Sequence, residues 1–582
     1  MTPMVLFGLL GSIGSVPGVL LALAFSPGKG GRLSHLVAGV LINSGLLAGA
    51  ATFLKLLGWI PLTRTSFLAG WGLCFAFSTL LLALRRRSAR ETLNHLWPTP
   101  SHGRVLLWVG GLALTVGLVA YPKLVIENFN GDGTEVFAPA ESLRTHLLPY
   151  WDLEVGSRFG LPNVQPYWGY HFLMLPWLLL LGSAEAAVRL PLLGYLFLLF
   201  LAGAALLRRK DRDPFPGWLL AYWTACLLWT VTLLVNYGGH DPHVADVAHS
   251  ATYLFLATGV VLQLYCLEHR LGGLFTALAL LGILTKYWAG CLSFWLLAAA
   301  GWRSPADRGW FLRRMIGLAT GVGAIALAAV AVAWKGGYLG IWMPEQARDL
   351  PHFLQSPWGI VRGLGGHLGQ WVILGGILPF FSLLPLRSLP WAGQVLALTT
   401  VAYSGLLACV SPSQTFHAHV VLGLLTMLVG GYRIQQMGSV AKRVWQVLPT
   451  VVLVSLVLLA LPRPLGISTA NRELGAKTCM LFSRYEEAMA HARIADHLFE
   501  HGLMGGHIDY PAWVHYATVT RSPTRPFLYY LSDRPEPPVL GAVFVAKEEG
   551  SFFFAATPSA AQALRDWTPA PRPRLAGLRD LG

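Results

Sequence analysis

The amino-acid sequence predicts an all-α polytopic membrane bundle with a small α/β domain at its C-terminal end. Three observations carry that expectation. Of the 582 residues, 54% are hydrophobic and only 12% are charged, about half the charged share of a soluble chain. Apolar runs of about 17–25 residues, each long enough to cross a hydrocarbon core of about 30 Å, recur along most of the chain. From Arg463 onward the composition turns polar.

The elements follow in order. Residues 4–26 form an apolar run rich in Gly and Ser. No basic stretch precedes it, so a first membrane helix is expected rather than a cleaved leader. A second run extends to about 61, and a third covers about 66–84 and stops at Arg85-Arg86-Arg87 and Arg90. Clusters of Lys and Arg between apolar runs mark the cytoplasmic side. The formal net charge of +15 therefore describes topology, and no nucleic-acid motif accompanies it. Residues 105–122 are expected to cross outward.

The apolar stretch from His171 to Leu207 is too long for one helix, and Gly182-Ser183-Ala184-Glu185 and Arg189-Leu190-Pro191 interrupt it. Residues 170–183 read as an interfacial or re-entrant helix, and 186–207 as an inward crossing that ends at Arg208-Arg209-Lys210. Helices are expected at about 215–236 and 251–268, the latter ending at Glu268-His269-Arg270. Residues 272–302 have basic residues at both ends but are too short for two spans. They predict a hairpin of short helices with Thr285-Lys286-Tyr287 near its tip. Further helices are expected at 315–334, about 370–386, 391–410, 419–432 and 445–461, with SPSQTFHAH forming an outer turn before the helix at 419. The count is roughly 12–13 membrane helices.

Beyond Arg463, helix-like patterning at 484–501 and 558–567 and strand-like runs at 540–546 and 551–556 predict an outer-face α/β domain. A lid or stabilising cap is the role its residues suggest. The six cysteines include no CxxC pair, so neither a disulfide framework nor a zinc site is indicated.

The chemistry concentrates in polar loops. Glu127 to Tyr170 is the longest polar interval in the first two thirds of the chain and carries Asp132, Glu135, Glu141, Asp152 and Glu154, against 28 Asp and Glu in all. A carboxylate at the mouth of a helical bundle is placed to act as a general base on a hydroxyl. Asp132 and Glu135 are the candidates, with a solvated loop acid as the alternative for each. Lys286 lies in the middle of an apolar run, where a cation is costly unless it faces a cavity or an anion. It is the candidate phosphate partner, together with Tyr287. A second polar knot, GGHDPHVADVAHS at 238–250, holds His240, Asp241, His243, Asp246 and His249. These are metal-ligand types at close spacing, and a polar loop lining a substrate cavity is the other reading. Arg362, in the loop at 335–369, and His417 and His419 complete the candidate anion-binding set.

Several of these motifs, in this order, resemble the C-class (GT-C) membrane glycosyltransferases, the superfamily that includes protein mannosyltransferases and aminoarabinose transferases. Asp132 is followed by Ala140 at the family's spacing. PYWGYHFLMLPWLLLLG at 166–182 is similar to the family's Pro- and Tyr-containing amphipathic helix. Ser183, Glu185, Ala187, Arg189, Leu190 and Pro191 match an SE-x-A-x-RLP pattern leading to Arg208-Arg209. Leu284-Thr285-Lys286-Tyr287 resembles the family's LTK hairpin, and Phe416-His417-Ala418-His419 its late outer turn. Many members have adjacent acids in the first loop, whereas here Gly133-Thr134 separates Asp132 from Glu135, leaving the identity of the base open. Asp246 falls where the family carries an Asp before a helix.

The resemblance implies a catalytic core at 105–462 with outer loops 123–170, 237–250 and 335–369, three additional helices within 1–104, and an extracytoplasmic domain at 463–582. It implies an inverting glycosyltransferase in a bacterial-type inner membrane. The enzyme would move a sugar from a polyprenyl-phosphate donor to a lipid, glycan or protein acceptor on the outer face. No cofactor is required by that chemistry, since phosphate is already a good leaving group; a divalent metal on His240, Asp241 and His243 stays open. Two other readings compete. A secondary transporter would show internal repeats, and no second copy of the carboxylate loop is found. A glycan ligase using a lipid diphosphate would be marked by several arginines in a late outer loop, and 335–369 carries only Arg348 and Arg362.

Overall fold

The computed structural model describes residues 13–25, 31–85, 168–181, 184–207, 247–286, 290–335, 386–410 and 412–436, four strands between 507 and 555, and isolated positions at 11, 110–112, 143, 222–224 and 226–227. The chain divides into two units. Apart from the first turn of one helix, the described helices belong to the first unit and the strands to the second.

The helices are α1 (Val16–Phe25), α2 (Arg32–Leu56), α3 (Arg64–Leu84), α4 (Trp168–Leu181), α5 (Ala184–Leu207), α6 (Val247–Glu268), α7 (Gly272–Thr285), α8 (Leu292–Arg303), α9 (Arg308–Lys335), α10 (Trp391–Val410) and α11 (Pro412–Gln435). Among the described residues, three stretches are long and apolar enough to cross a membrane: Leu33–Leu56, Arg64–Leu84 and Pro305–Ala328. Only 11% of the most apolar window of the last is buried, which leaves Leu312, Ile316 and Leu327 on its outside. The expected break after 181 and the expected hairpin at 272–302 are both present, the latter as helices of 14 and 12 residues.

The three N-terminal helices pack into the same unit, α2 lying against α4, α5 and α7. The α1–α2 crossing is close because two glycines meet. A Cβ on Gly39 would lie 2.5 Å from Val19 Cα. Asn43 fastens the crossing: its Oδ1 accepts from the Gly18 amide at 3.2 Å, and its Nδ2 donates to the Gly14 carbonyl at 2.8 Å. An uncapped helix N-terminus has unsatisfied amides, and here a neighbouring helix supplies the acceptor. Thr63 starts α3 with a capping box, Ser66 Oγ accepting from the Thr63 amide at 3.1 Å.

α6 is the innermost element of this unit, with every residue from Thr252 to Leu267 buried. A helix apolar on all faces belongs inside a bundle. Its end is a Schellman turn. The Leu271 amide donates to the Cys266 carbonyl at 2.8 Å and the Arg270 amide to the Leu267 carbonyl at 3.3 Å, with Arg270 at φ 58°.

Contacts between helix ends show which termini share one end of the unit. Arg270, after α6, pairs with Asp307, before α9. Trp391 Nε1, opening α10, donates to Ser304 Oγ after α8 at 2.8 Å. Arg433, near the end of α11, donates to Ser388 ahead of α10. The Gly31 amide, ahead of α2, donates to the Tyr265 hydroxyl. One end therefore gathers the starts of α2, α7, α9 and α10 and the ends of α6, α8 and α11. Arg270, Arg303, Arg308, Arg313, Arg314, Arg387 and Arg433 all lie toward that end. The basic clusters separated along the sequence converge on one side.

In the second unit, β1 (His507–Ile508), β2 (Tyr529–Ser532), β3 (Val543–Glu548) and β4 (Ser551–Ala555) form one sheet in the order β1-β2-β4-β3. β1 pairs with β2 in parallel; β2–β4 and β3–β4 are antiparallel, with an irregularity between Phe544 and Ala546. The two expected strands are β3 and β4, whereas β1 and β2 were not anticipated. The expected helices at 215–236, 370–386, 445–461, 484–501 and 558–567 fall wholly or largely outside the described residues, as does the crossing at 105–122.

Candidate active site

Lys286 sits at the C-cap of α7 with extended backbone, φ −157° and ψ 104°. Its amide donates to the Gly282 carbonyl at 3.0 Å, and its own carbonyl accepts from the Gly290 amide at 2.8 Å. The bend is sharp enough that a Cβ on Gly290 would lie 2.7 Å from the Gly282 carbonyl carbon and closer still to the backbone of Ile283. Only a residue without a side chain lets the two arms approach this way. Thr285 Oγ1 donates back to the Leu281 carbonyl at 2.7 Å, keeping its hydroxyl satisfied within the helix.

The bend turns Lys286 inward, leaving it 1% exposed, with Nζ 5.0 Å from the centroid of the Tyr253 ring of α6. Tyr253 is six residues into α6, about 9 Å along its axis at 1.5 Å per residue. The short α7–α8 hairpin thus delivers a lysine inside the bundle rather than at its rim. A cation over an aromatic face gains about 0.5–2 kcal/mol, against roughly 2.5–3.5 kcal/mol for a lysine at the centre of a membrane helix. A cation held at such depth attracts a phosphate oxygen more strongly than it would in water, because screening is weaker.

Two further polar groups flank the bend. Gln263 of α6 is 1% exposed, and its Nε2 lies 3.9 Å from where a Gly282 Cβ would stand. Gln263 Oε1 and the buried Ser293 Oγ of α8 have no hydrogen-bond partner among the described residues. Tyr253, Gln263 and Gly290 were not singled out from the sequence. Tyr253 and Gln263 belong to an evenly apolar helix, and nothing local shows that they face a loop more than twenty residues away. Gly290 carried a signal, a glycine four residues after a mid-run lysine.

The described backbone fixes the helix placement of two more candidate stretches. α6 begins at Val247, earlier than the expected 251, so His249 lies in its first turn. α11 begins at Pro412 and runs back to the arginine-rich end, so its start lies at the far end of that helix. This corrects the expected turn at SPSQTFHAH: Phe416-His417-Ala418-His419 are helical. The polarity of the stretch suggested a loop, but Pro at the first helical position is favourable, and Ser, Gln and Thr disfavour a helix only slightly. Asp132, Glu135, Asp246, Tyr287, Arg362, His240, Asp241 and His243 lie outside the described residues. No group of three or more His, Cys, Asp or Glu poised for a metal occurs among the described residues.

No protein-family model and no curated protein matches the chain. Among solved structures it is similar to a crystal structure of ArnT from Cupriavidus metallidurans bound to undecaprenyl phosphate, with a TM-score of 0.45 and 14% identity over 79% of this chain and 99% of that one.

Proposed function

We propose that the chain is an inverting membrane glycosyltransferase of the C class, with roughly 12–13 membrane helices, that uses a polyprenyl-phosphate sugar as donor. The observation that carries this reading is Lys286, a buried lysine at the apex of a helical hairpin too short to span, in the LTKY sequence of that family. In support, the hairpin comes after the first-loop, amphipathic-helix and SE-x-A-x-RLP motifs and before the Phe416–His419 motif, in the family's order, and Glu185, Ala187, Arg189, Leu190 and Pro191 lie in the opening turns of α5.

In the proposed reaction Asp132, aided or replaced by Glu135, takes the proton of the acceptor hydroxyl. The oxygen attacks the anomeric carbon from the face opposite the phosphate. The carbon–oxygen bond to the phosphate breaks and its electrons leave with the phosphate. Lys286 holds that anion, with Tyr287, Asp246, His249, Arg362, His417 and His419 shaping its surroundings. The core would span 105–462, with 1–104 as additional scaffold and 463–582 as a domain over the outer face of a bacterial-type inner membrane. The acceptor is a hydroxyl of a lipid, glycan or protein.

The test is transfer from a panel of radiolabelled polyprenyl-phosphate sugars by purified protein in lipid, with membrane extract as acceptor. Asp132→Asn is expected to lower the rate by about 10²–10⁴-fold, the share general-base catalysis supplies. Lys286→Gln is expected to lower it by about 10²–10³-fold. Transfer retained in Asp132→Asn but lost in Glu135→Gln would move the base to Glu135. Absence of both donor binding and transfer across the panel would overturn the reading.

A further inference from the structure

At the end of the helical unit opposite Lys286, five arginines surround the turn between α8 and α9. Arg270 pairs with Asp307 and lies over the rings of Trp310 and Phe311, 5.2 and 4.7 Å from their centroids. Arg314 lies over the same Trp310 at 5.5 Å and rests on Gly272, where a Cβ would stand 2.6 Å from the guanidinium carbon. Arg270 and Arg314 are thus held in place by stacking and packing. Arg303, Arg308 and Arg313 are exposed, and none has an acidic partner among the described residues. Asp307 is engaged by Arg270, and the remaining acid of the turn region, Glu268, leaves the cluster cationic.

The surface beside this cluster is apolar. Arg308, Leu312 and Ile316 repeat every four residues and so share one face of α9. Leu312 is 57% and Ile316 58% exposed, Leu327 lies further along the same helix at 72%, and Trp302 projects beside the arginines at 74%. A soluble anion needs cations alone. A cationic head over a continuous apolar stripe, with an indole at the junction, matches a molecule with a phosphodiester at one end and an acyl chain below it.

We propose that the start of α9 is a binding site for an anionic phospholipid, its headgroup phosphate received by the exposed Arg308 and Arg313, which flank the stripe, and its acyl chain lying along Leu312 and Ile316. The site lies at the other end of the unit from Lys286 and does not depend on what reaction that residue serves. It would anchor α8 and α9, which lead into and away from the membrane face, to the leaflet on the arginine-rich side.

The experiment uses the full-length protein in a neutral maltoside detergent. It is offered an equimolar mixture of phosphatidylglycerol and phosphatidylcholine with identical acyl chains, and retained lipids are counted by native mass spectrometry. Wild type is expected to retain phosphatidylglycerol in preference. R308Q/R313Q is expected to lose about fivefold of that preference for each arginine removed, and R308K/R313K to keep most of it. Both positions are exposed, so the fold is not at issue, and the wild-type measurement needs no variant. Equal retention of the two lipids by wild type, or an undiminished preference in R308Q/R313Q, would overturn the proposal.

Discussion

Arg270 and Gly290 show how single residues shape the turns that place the charged groups. Arg270 occupies the left-handed position that closes a helix, at φ 58°, where glycine is the usual occupant. Its side chain compensates through Asp307 and the rings of Trp310 and Phe311. Arg270→Ala and Arg270→Gly both remove those contacts, but only alanine keeps the left-handed penalty. The glycine variant is therefore expected to be more stable than the alanine variant by about 1–2 kcal/mol, as measured by unfolding in detergent. Equal stabilities would show that the backbone here relaxes freely. Gly290 is the opposite case, a glycine required by contact. Gly290→Ala is expected to force the α7–α8 bend open and lower stability by about 1–3 kcal/mol. Because Lys286 is held by that bend, donor affinity should fall with it; a variant as stable and as tight as wild type would contradict the packing described.

At the scale of elements, much of the helical order was legible because length and punctuation decide it. The Arg85 cluster, Gly182-Ser183 and the basic residues around 270 and 303 bound α3, α4, α6 and α8 close to where the apolar runs end. The hairpin at 272–302 was legible from arithmetic alone, since its residues cannot span twice. The start of α11 was misjudged because polarity does not forbid a helix, and β1 and β2 were missed because short strands with a distant partner leave no periodic trace. The α1–α2 crossing was also hidden, for which glycines meet is decided by helix rotation. Gly39→Leu is expected to separate these helices, and Asn43→Ala to remove the two hydrogen bonds to Gly14 and Gly18. Asn43→Ala should lower stability by about 1–2 kcal/mol, as for interhelical polar contacts in membranes, with the larger loss in Gly39→Leu. Thermal unfolding of the two variants beside wild type checks the ranking.

At the scale of the whole molecule, the convergence of basic helix ends is what the proposed orientation rests on. Ala306→Cys, in the exposed turn between α8 and α9, is expected to react with a membrane-impermeant maleimide only after the membrane is breached. The six native cysteines, Cys479 of the expected outer-face domain among them, are first replaced by serine, so that labelling reports position 306 alone. Labelling of intact cells at Ala306→Cys would invert the topology and place Lys286 on the inner side, against the proposed outer-face reaction.

The sequence by itself determined the composition class, the existence and ends of many of the described helices, the short hairpin and the identity of Lys286 as the residue to watch. These follow from apolar run length, charge placement and the cost of a lysine among apolar neighbours, all of which are local. Only the tertiary structure decided that Lys286 turns onto Tyr253, that α6 is enclosed on every side, and that Arg270, from the α6–α7 connection, and Arg314, of α9, meet over Trp310. Those are relations between residues tens of positions apart, set by how helices rotate and pack against one another, and a linear pattern carries no record of that rotation.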